Sequence, residues 1–89
     1  MVQQKYIRLQ KNNTFIIFPE HISHADFEFM HPISAGFCTF EQNEVKCFGQ
    51  SVSLGLRADK DDSFLATLQI YGIENLFVST ESNNTGQNK

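Results

Sequence analysis

Tryptophan is absent from this chain, and cysteine and proline each occur only twice. Two cysteines are too few for a disulfide scaffold or a four-thiolate zinc site. The seven cations, at positions 5, 8, 11, 46, 57, 60 and 89, are never adjacent, and the net charge is -3. A nucleic-acid surface needs clustered Lys and Arg to displace counterions from phosphates, so direct nucleic-acid binding is disfavoured. No apolar run approaches the length of a membrane span, and no charged segment followed by an apolar one opens the sequence. The expected compartment is the cytoplasm, with no membrane contact. Without a secretion signal, the sequons Asn12-Asn13-Thr14 and Asn83-Asn84-Thr85 are chance matches. There is no HExxH, Walker, dinucleotide or nucleophile-elbow motif, and Gly49, Gly55 and Gly72 are too dispersed to cradle a phosphate. No cofactor is implied, and the chain does not read as an enzyme.

What is present is a small, aromatic-rich chain. At 89 residues there is room for one core. Nine Phe and two Tyr must fill it, and a charged fraction of 19% does not describe a disordered chain.

Tyr6 to Leu9 alternates as a half-buried strand, and Thr14 to Phe18 is a β-branched and aromatic run. Asn12 and Asn13 accept positive φ, which predicts a hairpin pairing Leu9 with Ile16 and Ile7 with Phe18. Pro19 ends the second strand. Ser23 is placed to cap a short helix, with Asp26 three residues on and Ile22 and Phe27 as a hydrophobic staple. His31-Pro32 stops that helix near Met30.

A second hairpin turns at Gln42-Asn43, pairing Phe40 with Val45, Thr39 with Lys46, Cys38 with Cys47, and Phe37 with Phe48. Its latter strand is expected to continue past a bend at Gly49 through Val52 and Leu54. Asp59 or Asp61 can cap a second helix from about Lys60 to Tyr71, with Phe64, Leu65, Leu68 and Tyr71 at helical spacing and Gly72 as its stop. Leu76-Phe77-Val78 is a last apolar patch, able to dock as a strand or clasp. The expected organisation is a single α+β domain over 1–78 and a disordered polar tail over 79–89. The order ββαββα implies one antiparallel sheet with both helices packed on one face.

Three groups of residues could carry chemistry. His21, His24 and His31, near Glu20 and Asp26, are suitable zinc or iron ligands by type, but capping at Ser23 sets His21 and His24 on different faces. Cys38 and Cys47 oppose each other on an apolar face, where two buried free thiols are expected. The carboxylates of Asp59-Lys60-Asp61-Asp62 lack the ligand spacing of a calcium loop and suit a helix start. The remainder is an aromatic surplus. Tyr6, Phe15, Phe37, Phe48 and Phe77, with Lys46 among them, fall away from the main core or at its margin. They form either an exposed interaction patch or a surface covered by the second helix or by residues 76–78.

The expected function is a non-enzymatic protein-binding module that meets another protein through the open sheet face or an edge strand. Its size, acidity and lack of motifs fit small accessory or inhibitory proteins of phages and other mobile elements, such as those that block a host defence complex. Edge pairing into a homodimer is a second expectation. The alternative is a metal-dependent regulator or hydrolase built on His21, His24 and His31.

Overall fold

A computed structural model describes residues 2–72. The expectations for Leu76–Val78 and for the tail lie outside the described residues.

The first hairpin joins β1 (Gln4–Arg8) to β2 (Phe15–Phe18). Between them Lys11–Asn13 makes one 3-10 turn, with Asn12 at φ 57 and Asn13 at φ 49. The two asparagines accept positive φ as expected, but the loop is longer, closing with Leu9 N–H on the Thr14 carbonyl. Ile7 therefore faces Ile16, and Lys5 faces Phe18. This two-residue shift leaves every side chain on its expected face, because strands repeat every two residues.

A 3-10 helix, His24–Met30, follows β2. Its Ser23 cap is as expected: the hydroxyl accepts from Ala25 N–H at 3.1 Å. His31, in the left-handed region at φ 54, ends it. The second hairpin, β3 (Ser34–Glu41) and β4 (Glu44–Phe48), has the predicted register residue for residue. Gln42 at φ 51 and Asn43 at φ 59 supply the turn whose twist matches the strands. β4 does not run on through Val52 and Leu54. Gly49 turns the chain at φ 79, and β5 (Gln50–Ser51) pairs with β6 (Leu56–Arg57) in a separate small sheet. Helix α1 spans Asp62–Tyr71. Asp61 precedes it without a side-chain capping bond, and Gly72 follows at φ 88.

The class is α+β, with an antiparallel sheet in the order β2-β1-β3-β4. The helices, however, do not share a face. Tyr6 and Ile7 are neighbours on β1, point to opposite sides, and are both fully buried. On the front face Tyr6, Phe15, Cys38 and Val45 pack with Ala66 of α1. On the back face Ile7, Phe18 and Ala35 are covered by Phe27 and Met30 of the short helix and by Leu54 and Leu56 of the β5–β6 hairpin. The physical reason is that β1 and β2 are apolar on both sides, so each side needs a cover. The aromatic surplus is in part a second core.

α1 is also turned differently from its apolar stripe. It buries Asp62, Ala66 and Thr67 and leaves Phe64 58% exposed. Its polar residues face inward because the strand edges give them partners. Thr67 Oγ1 accepts from Val45 N–H at 2.9 Å, and Ser63 Oγ accepts from Cys47 N–H at 2.8 Å. At the opposite edge the Gln69 amide accepts from Phe15 N–H at 2.9 Å and donates to its carbonyl at 3.1 Å.

Candidate functional site

Register and alternation bring three of the five expected binding residues together. Phe37 and Phe48 are cross-strand partners on the back face, with ring centroids 6.3 Å apart and stacked. Lys46 lies two residues along β4 on the same side and pairs with Glu41 at 3.3 Å. The short helix shelters Phe37, whose ring meets His24 edge-on at 5.7 Å, while Phe48 stays 42% exposed. Thr39, Glu41, Glu44 and Lys46 continue that surface toward the turn, and none of them is buried. Among the described residues, the β3–β4 end of the back face is thus left exposed.

Tyr6 and Phe15, expected beside them on an open face, are buried instead. They lie on the front face in contact with each other, centroids 5.7 Å apart, beneath α1. They present no surface to a partner.

The three histidines do not converge. His21 and His31 are exposed, whereas His24 is buried between Phe18 and Phe37. Its Nε2 lies 2.9 Å from the Gly36 carbonyl, which can only accept, so this nitrogen carries the proton. Burial pushes the His24 pKa down, with Lys5 adding to the effect against the bond to Gly36. Among the described residues, no group of three or more His, Cys, Asp or Glu is arranged to hold a metal ion. The histidine-cluster alternative therefore loses its geometry.

The thiols of Cys38 and Cys47 are free, with Cys38 buried and Cys47 half-buried. Burial pushes the Cys38 pKa up to about 11 and the Cys47 pKa up to about 12. They rest as neutral thiols.

Sequence reasoning missed a polar cluster beneath the start of α1. Asp62, fully buried, accepts from Tyr6 Oη at 2.5 Å, from Arg8 Nη1 at 2.7 Å and from Asp59 N–H at 2.9 Å. Arg8 also donates to Asp59 at 3.1 Å and, through Nε and Nη2, to Asn13 Oδ1 at 3.1 and 2.8 Å. The cluster ties β1, the first turn and α1 together. Its chemistry is that of an anchor: both Asp62 oxygens are occupied, and burial with the adjacent Asp62 raises the Tyr6 pKa well above its usual range. The available signal was Arg8, a cation sharing a strand face with Tyr6, and four residues, Asp59 to Asp62, containing three carboxylates.

The sheet edges are partly occupied as well. The outward amides of Val45, Cys47 and Phe15 are already bonded to α1. Among the described residues, no helix is long and apolar enough to cross a membrane. Comparison with protein-family models, curated proteins and solved structures finds no match.

Proposed function

We propose that this domain is a non-enzymatic protein-binding module whose contact surface is the open end of the back face, centred on Phe48 with Phe37 and Lys46. The observation that supports this reading is the stacked Phe37–Phe48 pair, with Phe48 42% exposed on a part of the sheet that neither described helix covers. An exposed ring backed by a sheltered one makes a rigid apolar anchor, and aromatic anchors dominate the energetics of protein interfaces. Lys46 and its neighbours Glu41 and Glu44 supply a polar rim. The occupied amides at both edges favour the face over edge pairing. The narrower setting, an accessory or inhibitory protein of a phage or other mobile element, rests on small size and lack of motifs alone.

The test is cross-linking in cells of the source organism, followed by mass spectrometry, with wild-type protein and Phe48→Ser side by side. Phe48→Ser should keep its thermal midpoint within a few degrees, because an exposed ring adds under about 1 kcal/mol in a cross-strand pair. The reading requires a protein that wild type captures and the folded variant loses. An identical set of captured proteins from both would defeat it.

A further inference from the structure

We propose that Cys38 and Cys47 form a reversible cross-strand disulfide when the protein meets a small-molecule disulfide, making this pair a redox-modification site on the front face. The two residues are direct partners in the β3–β4 ladder. Their pair is of the non-hydrogen-bonded kind, as the bonding of β4 establishes: the amides of Val45 and Cys47 point away from β3 and are taken by Thr67 and Ser63 of α1. Pairs of that kind bring Cα atoms to about 4.5 Å, inside the span a disulfide bridges. Both side chains lie on the same face, in one cluster with Tyr6 and Val45. Cys47 is half-buried and Cys38 buried, which sets their order of reaction.

In the first step the Cys47 thiolate attacks one sulfur of the small disulfide. The S–S bond breaks, one thiolate leaves, and a mixed disulfide remains on Cys47. The Cys38 thiolate then attacks the Cys47 sulfur and expels the second small thiolate. The protein loses two protons and two electrons, and the small disulfide is reduced to two thiols. Because both groups rest as thiols under α1, the first step is slow and waits on exposure of Cys47. The product ties the two strands one residue away from Phe37 and Phe48, fixing the pair that presents the aromatic surface. The inference stands independently of what that surface binds.

The experiment incubates the native protein with glutathione disulfide at neutral pH and follows intact mass, peptide map and circular dichroism. The expected product is a monomer lighter by two hydrogens, with the bond mapped to Cys38–Cys47, the folded spectrum kept and the thermal midpoint raised. Cys38→Ser should stop at a glutathione adduct on Cys47. Should that variant fail to fold, acid quenching of the wild-type reaction must trap the same adduct. Three results would overturn the proposal: a native protein that stays dithiol at a poise that oxidises the urea-unfolded chain, a product limited to glutathione adducts or interchain dimers, or a bonded chain that has lost its fold.

Discussion

The two faces of this sheet are covered by different physics. Where it is covered, the back face is sealed by burial: Ile7, Phe18 and Ala35 pack with Ile22, Phe27, Met30, Leu54 and Leu56, and His24 is a polar intruder bonded to the backbone of Gly36 and Tyr6 and set between two rings. The front face is sealed by directed bonds. Asp62 gathers Tyr6, Arg8 and the Asp59 amide, while Ser63, Thr67 and Gln69 each take a strand amide. Apolar burial is tolerant of shape, since similar side chains repack at modest cost. A buried polar network is not, because removing one member strands the others without water. The difference teaches where this small domain keeps its specificity: α1 is positioned by its polar residues, and the short helix by its apolar ones.

That contrast can be broken most directly at Asp62. Asp62→Ala leaves Arg8 and Tyr6 without their partner and should cost about 3–5 kcal/mol. The matched back-face change, Ile7→Val, should cost about 0.5–1.5 kcal/mol. Urea denaturation of both variants decides the matter, and equal costs would erase the distinction between the faces. Gly36→Ala comes next. A Cβ there would lie 2.5 Å from the Phe48 carbonyl, and overpacking of this kind costs about 1–3 kcal/mol. Because the Gly36 carbonyl also holds His24, this change should disturb both faces, visible as shifts of front and back methyl resonances.

Ser23→Ala should remove about 1 kcal/mol and loosen only the back cover, read as faster amide exchange at Ala25 with α1 unaffected. The smallest effect is a slope. His24 is buried with its pKa lowered, so the unfolded chain takes up its proton first as pH falls. Stability is therefore full above the unfolded value of about 6.5 and declines below it, until the folded pKa is passed. Comparing wild type with His24→Asn between about pH 7 and 5 isolates this contribution, and parallel midpoints would contradict it.

The β3–β4 hairpin was legible in the sequence down to individual pairs. A two-residue Gln42-Asn43 turn and the alternation of Cys38, Phe40, Val45 and Cys47 leave one register that keeps the apolar side together. The same reasoning located Phe37, Phe48 and Lys46 correctly on one side. It could not tell that Tyr6 and Phe15 are covered, because their cover lies about fifty residues downstream and depends on how α1 is rotated. Periodicity assigned polar residues of that helix to water, whereas Asp62 and Thr67 are 0% and 2% exposed. What decided the rotation was the supply of unpaired strand amides, a property of the assembled sheet. Asp62 was hidden for a related reason: a carboxylate at a helix start has a sufficient local explanation, and its bond to Tyr6, 56 positions away, leaves no local pattern.

The bonds from α1 to the strand edges also set an order of events during synthesis. A ribosome delivers β1 through β4 before α1, so the sheet can pair while the Phe15, Val45 and Cys47 amides still point into solvent. In that interval a nascent chain offers strand edges on which a neighbouring chain can add. At roughly 5–20 residues per second, the chain from Gly49 to the end of α1 at Tyr71 follows within about five seconds. Ser63, Thr67 and Gln69 then occupy those amides from within the same molecule. Ribosome spacing on the message and the pace of translation through codons 49–71 thereby bear on how much of this protein reaches the fold described.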